Sequence, residues 1–404
     1  MKEQKKKYLS FMTDFQDLTA TFHVSEDLFK ELSSNFEKIY IINSGNLELP
    51  PNKNFDENKL KEIYKPDNFI FFNPKNFGEF NEFLKDKDII VISNIGKYLN
   101  SLKIHFFLKI KKIKMIQISN IGYFNQPPVY DYRNHLYLSI KHLFTNTLFK
   151  KIIVILGNVG ILPKLEIRFL SSRYILDKIK KNPIKNFLYK NKMFYAKKII
   201  LTNSRSYDIL NKGLYKSTED YIVHLGNNLN WSDQTVFRGK ISDEIINKHH
   251  HYLNKFLSKL SDDFQKKIIV CIHPGYDLEK FKKYYENFPV VKFKTREYIY
   301  KSFLVTVFDS SAVTDAILLK KRVIGLTSDF VGINEKKQWL SCANIYGFIQ
   351  LNIKKDILKN KNIILEETEK KILGYDNYIS NYHCFDKKIS GYSKITNTLK
   401  KEFF

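Results

Sequence analysis

Short apolar runs of four to six residues recur along this chain, and most are followed by a longer stretch whose apolar residues return every three or four positions. Ile39–Ile42, Phe69–Phe72, Ile89–Ile92, Ile268–Ile272 and Phe303–Phe308 are such runs. This alternation argues for βαβ units and a parallel sheet, because a strand with no polar side must be covered on both faces. The first half is expected to place strands at Tyr8–Met12, Ile39–Ile42, Phe69–Phe72, Ile89–Ile92, Ile113–Ile118, Ile152–Leu156 and Lys198–Thr202. Helices are expected at Glu26–Phe36, capped by Ser25, and at Phe77–Leu84, Leu99–Lys109 and His135–Leu148. A long basic helical region over Ile167–Tyr195, interrupted at Pro183, precedes the last strand of this half.

Residues 203–220 read as a connector, after which the pattern restarts. Strands are expected at Tyr221–Leu225, Ile268–Ile272, Val290–Phe293, Phe303–Phe308 and Val323–Leu326. Helices are expected at Ile245–Leu260, Leu278–Tyr285 and Ala312–Leu319, with a helical tail over Lys387–Lys401. The expected domains are 1–210 and 211–375, both α/β, followed by a C-terminal helix within 376–404.

Of the 404 residues, 43% are hydrophobic, enough for real cores. Lys and Arg total 67 against 42 acidic residues, a formal net charge of +25. That charge favours anionic partners, a phosphorylated substrate or an anionic membrane surface among them. The chain's pervasive Lys, Asn and Ile bias also raises the charge without any such role. No basic tail, zinc-finger spacing or aromatic RNA-binding signature is present, so nucleic acid is not an expected partner. The three cysteines, Cys271, Cys342 and Cys384, have no near partner, which implies neither a disulfide framework nor a zinc site and suits a reducing cytoplasm. No signal-type segment follows Met1, and no run reaches the ~18 apolar residues of a spanning helix. The expected location is the cytoplasm, with peripheral contact at the anionic inner membrane.

Two motifs carry the chemistry. His273-Pro274 follows the run ending at Ile272, and Asp309-Ser310-Ser311 follows the run ending at Phe308. Each should lie at a strand's carboxyl end, the edge where open α/β sheets bind ligands. Ser hydroxyls and the N–H groups of a helix start suit a phosphate, and an imidazole there can assist a leaving group. Asp and Ser are also ordinary helix caps, and a His can simply end a strand. Lys294 and Arg296 follow a strand beside this site and suit a carboxylate or phosphate, although they also read as surface charge. Asp86-Lys87-Asp88 matches a metal–diphosphate pattern but precedes its strand, so it reads as a solvated turn. His249-His250-His251 falls within a helix and reads as a solvated face. Lys103–Lys114, with interleaved apolar residues, suits either an anionic membrane or a core helix and strand with snorkelling lysines. No metal or cofactor is expected.

The His-Pro and Ser-Ser pair, with the stretch Ser310–Leu326, resembles bacterial sialyltransferases and CMP-dependent Kdo transferases of the GT-B superfamily. The resemblance implies two Rossmann-like domains facing across a cleft, with the last helix often crossing back to the first domain. It implies that His273, Pro274, Ser310 and Ser311 bind the nucleotide phosphate and cytidine side, with Asp315 a looser match to a ribose contact. The acidic-acidic-Gly motif of the sialyltransferases has no counterpart here. The length and the restart at Tyr221 are similar to the retaining β-Kdo transferase type. That type implies a nucleophile, for which Asp233 is the candidate, and a second carboxylate on the acceptor side, for which Glu166 and Asp14 are candidates. The expected function is transfer of an acidic sugar, Kdo first, from its CMP form onto a surface polysaccharide or lipopolysaccharide acceptor. A sialyltransferase-like, UDP-sugar or polyol-phosphate transferase of the same fold, or a non-catalytic nucleotide-sugar-binding subunit, remain alternatives.

Overall fold

The computed structural model describes residues 6–13, 18–48, 67–95, 101–119, 155–156, 159–181, 196–211, 218–227, 229–230, 241–273, 276–285 and 287–404. These fall into two compact units. The first draws on Met1–Ile121, Lys141–Arg205 and Phe385–Phe404, and the described residues of the second lie within Ser206–Cys384.

The first unit holds seven parallel strands: β1 (Lys6–Thr13), β2 (Ile39–Asn43), β3 (Phe69–Phe72), β4 (Lys87–Asn94), β5 (Lys114–Ser119), β6 (Leu165–Leu170) and β7 (Ala196–Leu201). Their order is β3-β2-β1-β4-β5-β6-β7. Leu9, Phe11, Ile39, Ile41, Ile90, Ile92, Ile116, Ile167 and Phe169 face one core. Met12, Tyr40, Ile42, Ile89, Val91, Met115 and Leu165 face the other. Both faces are therefore covered, which is why the strands read as unbroken apolar runs.

The helix Gly391–Phe403 closes the first of these faces. It buries Tyr392, Ile395, Leu399 and Phe403, a stripe at helical spacing, against Leu28, Phe29, Leu32 and Phe36. The chain is held as it arrives by Asn203, just past β7. Its Nδ2 donates to the carbonyls of Asp386 (2.7 Å) and Ile389 (3.0 Å), and its Oδ1 accepts from the N–H groups of Phe385 and Asp386.

Three expectations in this unit are corrected. The helix expected at Glu26–Phe36 runs Leu18–Ser33, so Ser25 lies within it and does not cap it. The basic region at Ile167–Tyr195 begins as a strand, β6, and only Arg173–Lys181 of its described part is helical. Ile167 and Phe169 alternate with Glu166 and Arg168, a period of two that the charges conceal. The strand expected at 152–156 also fails in its described part, since 155–156 are helical. The helix expected at His135–Leu148 lies outside the described residues.

The second unit holds β8 (Tyr221–Leu225), β9 (Lys267–Cys271), β10 (Val290–Val291), β11 (Ser302–Val307), β12 (Arg322–Thr327) and β13 (Ile349–Asn352). All are parallel, in the order β10-β9-β8-β11-β12-β13. Counted from each unit's first strand, both sheets open 3-2-1-4-5-6, the doubly wound Rossmann order. The long helix Asp243–Phe264 is capped by Ser242, whose side chain accepts from the Ile245 N–H, with Asp243 and Glu244 in its first turn. Among the described residues no helix is long and apolar enough to cross a membrane.

Candidate functional site at the carboxyl edge of the second sheet

The strand order reverses beside β8. From β8 the chain winds to β9 and β10 on one side, then returns to lay β11, β12 and β13 on the other. A doubly wound sheet has its crevice at such a point, outside the carboxyl ends. β8 ends in Gly226 and Asn227, both buried. A Cβ on Gly226 would stand 3.1 Å from Ile272 Cγ2 and 3.4 Å from Val270 Cγ1, so this turn lies tight against β9.

The two motifs stand on the strands flanking β8. His273 follows β9, and Asp309, Ser310 and Ser311 follow β11. Two inter-strand spacings separate those ends, roughly 10 Å. Side chains reaching inward over Gly226 can therefore meet one ligand. His273 is exposed, and its carbonyl accepts from the Tyr276 N–H at 2.9 Å. Ser310 Oγ accepts from the Ala312 N–H at 3.3 Å, which curls the loop into the following helix. Asp309 is held from the side by Cys342, whose Sγ lies 3.8 Å from Asp309 Oδ1. Ser311 is exposed. The helix after the pair is short, Val313–Leu318, and is capped by no side chain. The hydroxyls, rather than a long helix dipole, are the polar groups this loop offers.

Asp315 and Arg296 are brought together. Arg296 Nε donates to Asp315 Oδ2 at 3.0 Å, with the carboxylate largely buried. Arg296 thus has its Nε engaged by a protein carboxylate. Lys294 is exposed at the start of the helix Thr295–Tyr300. Glu166 is the second residue of β6, and its carboxylate accepts from Lys197 Nζ at 2.7 Å near the start of β7. That places it at the amino end of the first sheet, away from the edge where an acceptor carboxylate is needed. Pro274, Asp233 and Asp14 lie outside the described residues.

One residue the motif reading passed over is Phe293, just beyond β10. Its ring is 67% exposed and its backbone sits at φ 67°. A bulky side chain in the left-handed region is a genuine outlier, costing about 1–2 kcal/mol. Lys292 Nζ lies 5.5 Å from the ring centroid and donates to the Tyr276 carbonyl at 2.6 Å. The signal in the sequence is an aromatic between two lysines directly after a strand.

Beneath the edge lies a histidine cluster that overturns the solvated-face reading of 249–251. His249 and His250 are 2% and 5% exposed; only His251 faces water. They fall on the buried stripe Ile246, His249, His250, Leu253 of their helix. His249 Nδ1 hydrogen-bonds Ser328 Oγ at 3.0 Å, and His250 stacks on Tyr284 with centroids 4.4 Å apart. His224, in the middle strand, pairs through Nδ1 with Thr306 Oγ1 at 2.9 Å and through Nε2 with Tyr285 Oη at 3.4 Å. Burial, with the neighbouring His250, pushes the His224 pKa down to about 3. Burial takes His250 down to about 4, and burial and the other two rings push His249 well below its usual range. All three are neutral near pH 7. His249 packs on Phe308 at 5.0 Å, so the cluster is the floor on which the Asp309-Ser310-Ser311 loop rests.

No family model and no curated protein sequence matches the chain. Solved structures do match it in fold. A variant of the wall teichoic acid polymerase TagF is 14% identical, with 98% of this chain and 88% of that chain covered and a TM-score of 0.55. The UDP-GlcNAc 2-epimerase from Neisseria meningitidis, bound to UDP-GlcNAc, is 12% identical over 98% and 100%, with a TM-score of 0.51. The glycotransferase of kitacinnamycin is 10% identical over 98% and 98%, with a TM-score of 0.50. At such identities the likeness is one of fold: two Rossmann-like α/β domains of the GT-B type.

Proposed function

We propose that the protein is a glycosyltransferase that takes a CMP-activated acidic sugar at the carboxyl edge of its second sheet and passes it to a glycan or lipid-linked acceptor. The observation that carries the reading is the topology, which sets His273 and Ser310-Ser311 on either side of the β8 switch point. Ser310 and Ser311 donate to the single phosphate, Lys294 faces the donor's carboxylate, and His273 offsets charge on the departing CMP. Phe293 offers its face to the base, a use that accounts for an exposed ring held in a strained backbone. The carboxylate of Asp233 attacks the anomeric carbon as the bond to CMP breaks, and the acceptor hydroxyl then displaces it. Asp14, the residue after β1, takes the acceptor proton in place of Glu166. Kdo is the preferred sugar, on the strength of the His-Pro and Ser-Ser pair.

A UDP-activated donor is the second reading, favoured by the fold shared with the epimerase bound to UDP-GlcNAc. Thermal shift of the full chain with CMP and with UDP separates the two. The CMP reading expects stabilisation by CMP that Ser310→Ala weakens; a response to UDP alone would overturn it. Asp233→Asn is expected to keep the CMP response and lose turnover of CMP-Kdo, and unchanged turnover would remove Asp233 from the mechanism.

A further inference from the structure

Arg168 lies in β6, two residues before its carboxyl end and directly across from Gln117 of β5. It is 3% exposed. Its Nη2 donates to Ser119 Oγ at 3.1 Å, and among the described residues its Nε finds no hydrogen-bond partner. Burial lowers its pKa to about 10, still far above neutrality, so the guanidinium stays charged. Among the described residues no carboxylate faces it. Glu166, two positions earlier on the same strand, is spent on Lys197. A buried ion without a counter-ion is costly and is not retained for stability.

The surroundings are also under-satisfied. Gln117 Oε1, directly across on β5, is likewise buried without a partner among the described residues. Gln117 and Ser119 are only half-buried, so solvent reaches the groups beside Arg168. Ile167 and Phe169 point to the core under the helix Gly391–Phe403, which leaves Arg168 on the opposite face. A guanidinium, an amide and the Ser119 hydroxyl at the ligand edge of a Rossmann sheet match an oxyanion on a polyhydroxylated molecule.

We infer that Arg168, with Gln117 and Ser119, forms a subsite for an anionic group, a carboxylate or a phosphate, carried by the acceptor. The acceptor assignment rests on the transferase reading above; the anion site itself does not. The subsite would select acceptors that already bear charge, such as a chain ending in an acidic sugar or a glycerol phosphate.

The test is thermal shift and calorimetric titration of the full chain with glucuronate, with glycerol 3-phosphate, and with glucose and glycerol at matched ionic strength. One of the two anions is expected to stabilise the wild type while the neutral analogues do not, and which one does so names the oxyanion. Arg168→Met, neutral and of similar length, is expected to abolish that response, keep the nucleotide response, and melt no lower than the wild type. Arg168→Lys keeps the charge but loses the fork, so binding should weaken by roughly tenfold or more; this variant decides the matter should the methionine form fail to fold. A wild type blind to both anions, or variants that respond as it does, overturns the inference. Anion binding through Arg168 in a protein that binds neither CMP nor UDP would keep the site and remove its assignment to an acceptor.

Discussion

Phe293 sets two demands against each other within one residue. The left-handed backbone costs stability, and the exposed ring gains nothing from burial. Phe293→Gly therefore should stabilise the chain by about 1 kcal/mol, because glycine occupies that region without strain. The same change removes a stacking surface worth about 1–3 kcal/mol per base, so nucleotide affinity should fall about tenfold or more. Denaturant melts and nucleotide titrations read the two effects independently, and a variant that keeps its affinity denies Phe293 a part in binding. The motif residues are legible in the sequence because type and position coincide: a His or a Ser pair directly after an apolar run. Phe293 and Arg168 are not, since backbone strain and a missing counter-ion are properties of the folded chain. The Arg296–Asp315 pair escapes for a related reason. Nothing in a sequence separation of 19 residues tells that two short helices bring those side chains to 3.0 Å.

The helix Asp243–Phe264 was legible as a helix over Ile245–Leu260, but its histidines were not legible as core. Polarity argues for water, and only the packing of Tyr284, Tyr285, Phe308 and Ser328 around the rings reverses the argument. Element-level burial has a pH signature. In the unfolded chain each ring titrates near pH 6.5, whereas in the fold the values lie far lower. The unfolded state therefore takes up protons first as the pH drops. The stability these rings permit is fully present above about pH 6.5 and drains away as the pH falls toward about 4. Both tryptophans, Trp231 and Trp339, belong to the second unit's part of the sequence, so their fluorescence follows its unfolding in urea. The midpoint should drop steadily on acidification through that window, and a flat midpoint would show that the rings do not titrate on unfolding. Strand β6 marks the opposite failure of legibility. Its two charged residues break up the apolar run, and a register shift beside Glu166 obscures the alternation further.

Across the whole molecule, the alternation of runs was enough to read two parallel α/β sheets, because covering both faces of a sheet leaves a pattern that composition bias cannot erase. What it could not reveal is that the first unit is completed by residues far from it in sequence. Asn203 makes four hydrogen bonds to the 385–389 segment, and removing them with Asn203→Ala should cost about 2–4 kcal/mol, read from hydrogen exchange at Leu9 and Ile41 of the first sheet. Unchanged protection there would mean that the clamp is dispensable.

The late arrival of that last helix bears on how the chain matures. Emerging from a ribosome, the seven-stranded sheet is synthesised long before the piece that seals one of its faces, so Phe29, Leu32 and Ile116 must wait, uncovered, while some 180 further residues of the intervening unit (Ser206–Cys384) are made. The six-stranded half, by contrast, has everything it needs once its own stretch has been translated. Maturation is thus nested, inner half first and outer half last, and the interval between them is when chaperones would be needed most.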